Sequence, residues 1–246
     1  MSPLRHTGPR LWLRACCALA LLGLAVGCET QPIVGFGPVL ELEQLQALVA
    51  DSDWEAIVAA DIDCGEPSDT CAEVHAIRAD ACLRLAIQLP VDASATRGRT
   101  RQLLDAAESG YRQALLLHHS SASPSMASYH GGLLLTLSER RNRLDASVRE
   151  RTLDRENQKL LAAANQARAQ VPDSALGFIY TASALLYHAL LKESGGNRCQ
   201  GLGQAEAMLK QTPAPPAELM NDHQRLQTLI EQELRKSHCA QAPGPA

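Results

Sequence analysis

Cysteine and histidine are the residues here whose chemistry depends most on their neighbours. Cys64, Cys71 and His75 fall within one short stretch, and His238 and Cys239 are adjacent near the C-terminus. Thiolates and imidazoles can hold a metal, but zinc sites favour closely paired ligands such as C-x-x-C, and neither group has that spacing. No metal site is expected. There is also no Gly-rich phosphate loop, no H-E-x-x-H and no G-x-S-x-G, and the acidic residues are scattered without a visible pair. The chain therefore reads as a non-enzyme without a cofactor.

Disulfides are the better reading of the cysteines. Cys199 opens one expected helix and Cys239 ends the next, so an antiparallel hairpin lays them side by side. A bridge closing a loop of that size adds about 3–4 kcal/mol in the chain-entropy view. Cys64 and Cys71 flank the turn "GEPSDT" and could close it. Cys82 stands among Ala79, Leu83 and Ala86, the setting of a buried small apolar residue. His118 and His119 fit a helix end, where a cation is favoured. Tyr129, Tyr180 and Tyr187 are candidates for a groove that takes a peptide or small ligand; as structure, the same rings would fill gaps between helices.

These residues must be held by helices. Apolar residues make up 46% of the 246-residue chain and aromatics only 3%, so the core must be built from Ala and Leu, which favour helix. From Leu40 onward, helical stretches alternate with short breaks at "GEPSDT", Pro90, "SSASPS", Pro172-Asp173, "SGGNR" and "TPAPP". Short connections make neighbouring helices antiparallel. Asp53 is placed to cap a helix beginning at Trp54, and Ser123-Pro124 to open another. Residues 139–159 are dense in both charge signs. Glu139–Arg143 and Asp145–Arg149 are favourable pairs if that segment is helical. It reads as a solvated helix or inserted loop, or as a docking surface for an acidic partner.

The first 27 residues carry Arg5, Arg10 and Arg14 and no acid, then an apolar run from Ala15 to Val26. That run has the length of a signal-peptide core and is too short to span a bilayer. It ends at Ala25-Val26-Gly27-Cys28, which resembles the bacterial lipobox, with Ala25 where Leu is usual. The resemblance implies cleavage before Cys28, lipid on its sulfur and acylation of the new amino group. Stable anchoring takes more than one chain. Glu29 follows, where lipoproteins retained in the inner membrane commonly carry Asp. The implied location is the outer membrane of a diderm envelope, facing the periplasm. Without residues 1–27 the chain holds 20 basic and 27 acidic residues, a balance unlike that of a nucleic-acid binder. The expected organisation is a signal peptide over 1–27, a lipidated Cys28 and tether over 28–39, a helical domain over 40–238 and a disordered tail over 239–246.

Three segments, beginning at Leu103, Leu160 and Gly201, each read as an Ala-rich helix, a Ser or Pro break, and a second helix. They resemble the tetratricopeptide repeat family. Ala107, Tyr111 and Ala114 match its small–large–small spacing, and Ala167 and Pro172 match its closing Ala and Pro. Phe178, Ala182 and Leu185 match the opening of a further unit, and Gly132 fits a small position. The likeness covers residues 45–235 in degenerate form, with a shortened unit around Trp54 and His119 where Pro is usual. It implies an all-α fold of antiparallel helix hairpins stacked as a short solenoid; a generic helical bundle is the alternative. It also implies a membrane-anchored periplasmic scaffold or adaptor that binds another envelope protein. The alternative function is a ligand-handling accessory of a transport system, since the architecture resembles the tetratricopeptide lipoproteins of TRAP-type uptake systems.

Overall fold

The computed structural model describes residues 37–64, 67–91, 95–119, 124–144, 150–191 and 196–239. The signal-like segment, Cys28, most of the expected tether and residues 240–246 lie outside them. The described residues form nine helices and no strand: α1 Gly37–Ala50, α2 Trp54–Ala59, α3 Asp69–Gln88, α4 Arg97–Leu117, α5 Pro124–Asn142, α6 Glu150–Gln170, α7 Ala175–Leu191, α8 Gly196–Lys210 and α9 Ala217–Lys236. None of these is long and apolar enough to cross a membrane.

Local chemistry sets most boundaries. Asp53 caps α2, its Oδ1 accepting from the Ala56 N–H at 3.1 Å. Ser68 caps α3 in the same way from Cys71. α5 begins on Pro124, where a missing N–H costs nothing. Three helices start at least three residues earlier than patterning predicts, α8 among them, at Gly196 inside the expected "SGGNR" break. α1 begins at Gly37, inside the expected tether, with Pro38 in its first turn, where the ring is tolerated. α6 begins at Glu150 and so absorbs part of the charge-dense segment.

Substantial packing is confined to helices one or two places apart in chain order. The cores overlap along the chain. Leu45, Ile57 and Val74 join α1, α2 and α3. Leu103, Leu104, Leu133, Leu134, Leu137 and Leu160 join α4, α5 and α6. Ile179, Leu202, Leu226 and Ile230 join α7, α8 and α9. Each fully buried Leu or Ile contributes about 1.5–3 kcal/mol. Small residues let the helices approach closely. A Cβ on Gly110 of α4 would stand 2.9 Å from the Ala79 Cβ of α3, and Gly201 of α8 meets Ala189 of α7 at the same distance. Tyr111 fills the space that Gly132 leaves, its Cζ 2.1 Å from where a Cβ would lie.

The charged end of α5 is used between helices. Arg140 reaches Asp105 at 2.6 Å and Glu108 at 2.9 Å on α4. Arg143 pairs with Glu139 at 3.0 Å, as the spacing predicts, and also donates to the carbonyls of Leu89 and Ile87. It thus satisfies acceptors left open at the end of α3. The Asp145–Arg149 pair lies outside the described residues.

Candidate functional site

Arg141 stands between these two pins and behaves differently. It occupies the last turn of α5, where the exposed carbonyl ends favour a cation. Its side chain turns inward, and the residue is only 5% exposed. Nη1 donates to Asn157 Oδ1 on α6 at 3.1 Å, and Nη2 to Ser183 Oγ on α7 at 3.2 Å. Nε and Nη2 both donate to Asn142 Oδ1 at 3.2 Å. The Tyr187 ring lies over the guanidinium, 4.5 Å from centroid to Cζ.

Every one of those partners is neutral. Among the described residues no carboxylate pairs with Arg141, whereas its neighbours Arg140 and Arg143 both have one. Burial pushes the Arg141 pKa down, opposed by Tyr187 and Tyr180, but a guanidinium stays protonated in a protein. Taking such an ion out of water costs several kcal/mol even after relaxation. Hydrogen bonds to neutral oxygens and a cation–π contact of about 2 kcal/mol offset part of that cost.

Asn157 is held for this task. It is fully buried, and its Nδ2 donates to the Ala184 carbonyl at 2.9 Å, which leaves Oδ1 to face Arg141. Tyr180 completes the surroundings. Burial first, then Asp222 and Glu139, push its phenol up to about 12 against the opposing pull of Arg141, so it stays a neutral donor. Tyr180, Ser183 and Tyr187 are spaced three and four apart along α7, so they lie on one helical stripe. All three are half-buried, and Leu190 and Asn142 at the rim are exposed.

The three tyrosines expected in one groove therefore separate. Tyr180 and Tyr187 meet at Arg141. Tyr129 lies twelve residues up α5, about 18 Å along the axis. It is buried at 6% exposure among Ala72, Ala76 and Ala114. Its ring meets His118 edge-on at 5.7 Å, a gap-filling contact between α3, α4 and α5. The histidine itself follows the last residue of α4, as expected. Its ring nitrogens make no hydrogen bond among the described residues, although Nδ1 stands 3.2 Å from Asp69 Oδ1.

Both expected cysteine pairs are at bonding distance. Cys199 and Cys239 have Cα atoms 5.4 Å apart, and Cys64 and Cys71 5.6 Å. Cys82 is buried, and burial pushes its thiol pKa up, which removes it from thiolate chemistry. The spacing argument against a metal set at Cys64, Cys71 and His75 misses their proximity: their ligand atoms all lie within 4.8 Å of one another. Burial, then Arg78, lowers the His75 pKa, against Glu41. Two surface hollows lie elsewhere, one between α8 and α9 near His223 and Lys210 and one near Asp154 and His188. Sequence patterning missed Arg141 altogether, because its partners Asn157 and Ser183 lie on other helices.

No protein family, no curated protein and no solved structure matches this chain.

Proposed function

We propose that this chain is a lipid-anchored scaffold or adaptor of the cell envelope, probing its partner through the α5–α7 face that holds Arg141. The observation that carries this reading is a buried guanidinium with only neutral acceptors around it among the described residues. A partner's carboxylate, from an acidic side chain or a chain terminus, would supply the missing counter-charge by displacing the exposed Asn142 Oδ1 from Nε and Nη2, a bidentate edge. Tyr180 and Tyr187 offer amphipathic contact area at low entropic cost, as interface anchors do. Packing restricted to near neighbours in the chain supports a tetratricopeptide-like stack, as does the seating of Tyr111 over Gly132. The envelope location rests on the lipobox-like Ala25-Val26-Gly27-Cys28.

The test is in-cell crosslinking of the full-length anchored protein, with the captured proteins identified by mass spectrometry. A reproducible envelope protein bearing an acidic contact segment supports the adaptor. If the chain is intact and captures nothing, the reading passes to the second one, an accessory that handles a small carboxylate ligand for a transport system. That reading draws on the same guanidinium, and a bound organic acid released from the purified chain would favour it.

A further inference from the structure

We propose that Cys64, Cys71 and His75 form a zinc site that opens only when the Cys64–Cys71 disulfide is reduced. Cys71 and His75 are four residues apart in the first turns of α3, so both side chains leave the same helical face. Ser68 fixes where that face begins by capping the helix at Cys71. Cys64 approaches from the segment between α2 and α3, and its Sγ also reaches the Cys71 carbonyl. The three ligand atoms lie within 4.8 Å of one another. Tetrahedral zinc with bonds of about 2.0–2.3 Å places its ligand atoms roughly 3.5–3.8 Å apart. With Cα atoms 5.6 Å apart, rotating the two thiols away from each other would reach that spacing without moving α3.

A second observation lies beside the cluster. Glu41 of α1 accepts the Asp63 N–H through Oε1 at 3.1 Å, which ties α1 to the residue before Cys64. Its other oxygen, Oε2, is buried and makes no hydrogen bond among the described residues. Three protein ligands leave the fourth zinc position to water, and an orphaned buried acceptor beside the site is what such a water would satisfy.

The two states exclude each other. A dithiol reductant transfers two electrons and two protons to the Cys64–Cys71 bond; the reductant becomes a disulfide and the two cysteines become thiols. Zinc then binds both as thiolates and displaces the two protons to solvent. In an oxidising compartment the disulfide persists and the site is shut; under reducing conditions zinc takes the thiols and protects them from reoxidation.

The test is zinc competition against a chromophoric chelator on the full-length chain, reduced by a phosphine without oxygen. Reduced wild type should take one zinc. The reduced C64S/C71S variant, in which Cys199 and Cys239 are equally reduced, should bind more weakly by well over the roughly 10–100-fold that loss of an outer-shell partner costs. His75→Gln keeps the disulfide and should still lose affinity, and cobalt should give thiolate charge-transfer absorption only with reduced wild type. Equal affinity in wild type and C64S/C71S would overturn the site, equal affinity in His75→Gln would overturn the ligand set, and uptake by the oxidised chain would overturn the gating.

Discussion

Replacing Cys199 and Cys239 together by serine should release α9 while leaving the rest of the molecule folded. The bridge spans 40 residues, and the chain-entropy relation gives about 4 kcal/mol for closing such a loop at room temperature. The apolar docking of α9 is of similar size. Only Leu226 and Ile230 of its 20 residues are buried, worth about 3–6 kcal/mol together. The Arg198–Glu233 pair at 2.7 Å adds at most about 1 kcal/mol at the surface. α9 packs mainly on α8 and slightly on α7, so no other described element compensates. Amide hydrogen exchange by mass spectrometry is the assay. The variant should lose protection over Ala217–Lys236 and keep it through α3 to α6, where Leu133, Leu134 and Leu160 are buried. Unchanged protection of α9 would refute the reasoning, because docking alone would then suffice. Loss of protection throughout would refute it differently, because the molecule would then unfold as one unit.

Gly132→Ala should destabilise the protein by about 1–3 kcal/mol, since the new methyl collides with the Tyr111 ring, and Tyr111→Leu should recover part of the loss in chemical denaturation. The folded α9 should also weaken in acid, since Glu233 pairs with Lys236 of the same helix and with Arg198 of α8. Lys236 first, then Arg198, holds the Glu233 carboxyl below its usual value against a smaller opposing effect of burial. Its stabilising contribution is therefore complete above the unfolded pKa of about 4.3 and fades as pH falls through the lower folded value. Glu233→Gln should remove that acid-dependent part of α9's proteolytic sensitivity, leaving any remainder to other carboxylates.

Local rules made much of the helical framework legible. The break at "TPAPP" places the start of α9, which ends at Lys236 and not at Cys239, and Asp53 caps where its spacing says it should. The Cys199–Cys239 pair followed from helix order, and the Cys64–Cys71 pair from the turn that the two residues flank. What stayed hidden depends on contacts far apart in the chain. Residues 139–143 announce their charge but not its direction, and Arg141 is defined by Ser183, 42 positions away. The tyrosines were grouped by type, whereas helix packing sends Tyr129 to a different interface from Tyr180 and Tyr187. α1 was read as beginning later because Gly37 and Pro38 look like linker by composition, although both are tolerated in a first turn. The Cys64–Cys71–His75 set matches no usual metal spacing; its sign was Cys71 and His75 one helical turn apart at the start of α3.

The central claim is that a partner binds where Arg141 waits for a counter-charge. A photoreactive residue at Leu190, exposed at the rim of the stripe on α7, measures it directly in cells. Leu116 on α4, 73% exposed, serves as the control position. The account predicts one dominant envelope adduct from Leu190, absent from Leu116. It also predicts loss of that adduct in Arg141→Met, where relief of the desolvated charge offsets the cost of leaving the buried Asn157 Oδ1 without its donor, with folding checked by circular dichroism. An adduct from Leu190 that survives Arg141→Met in a folded protein would contradict the account, as would the same adduct captured equally from Leu116.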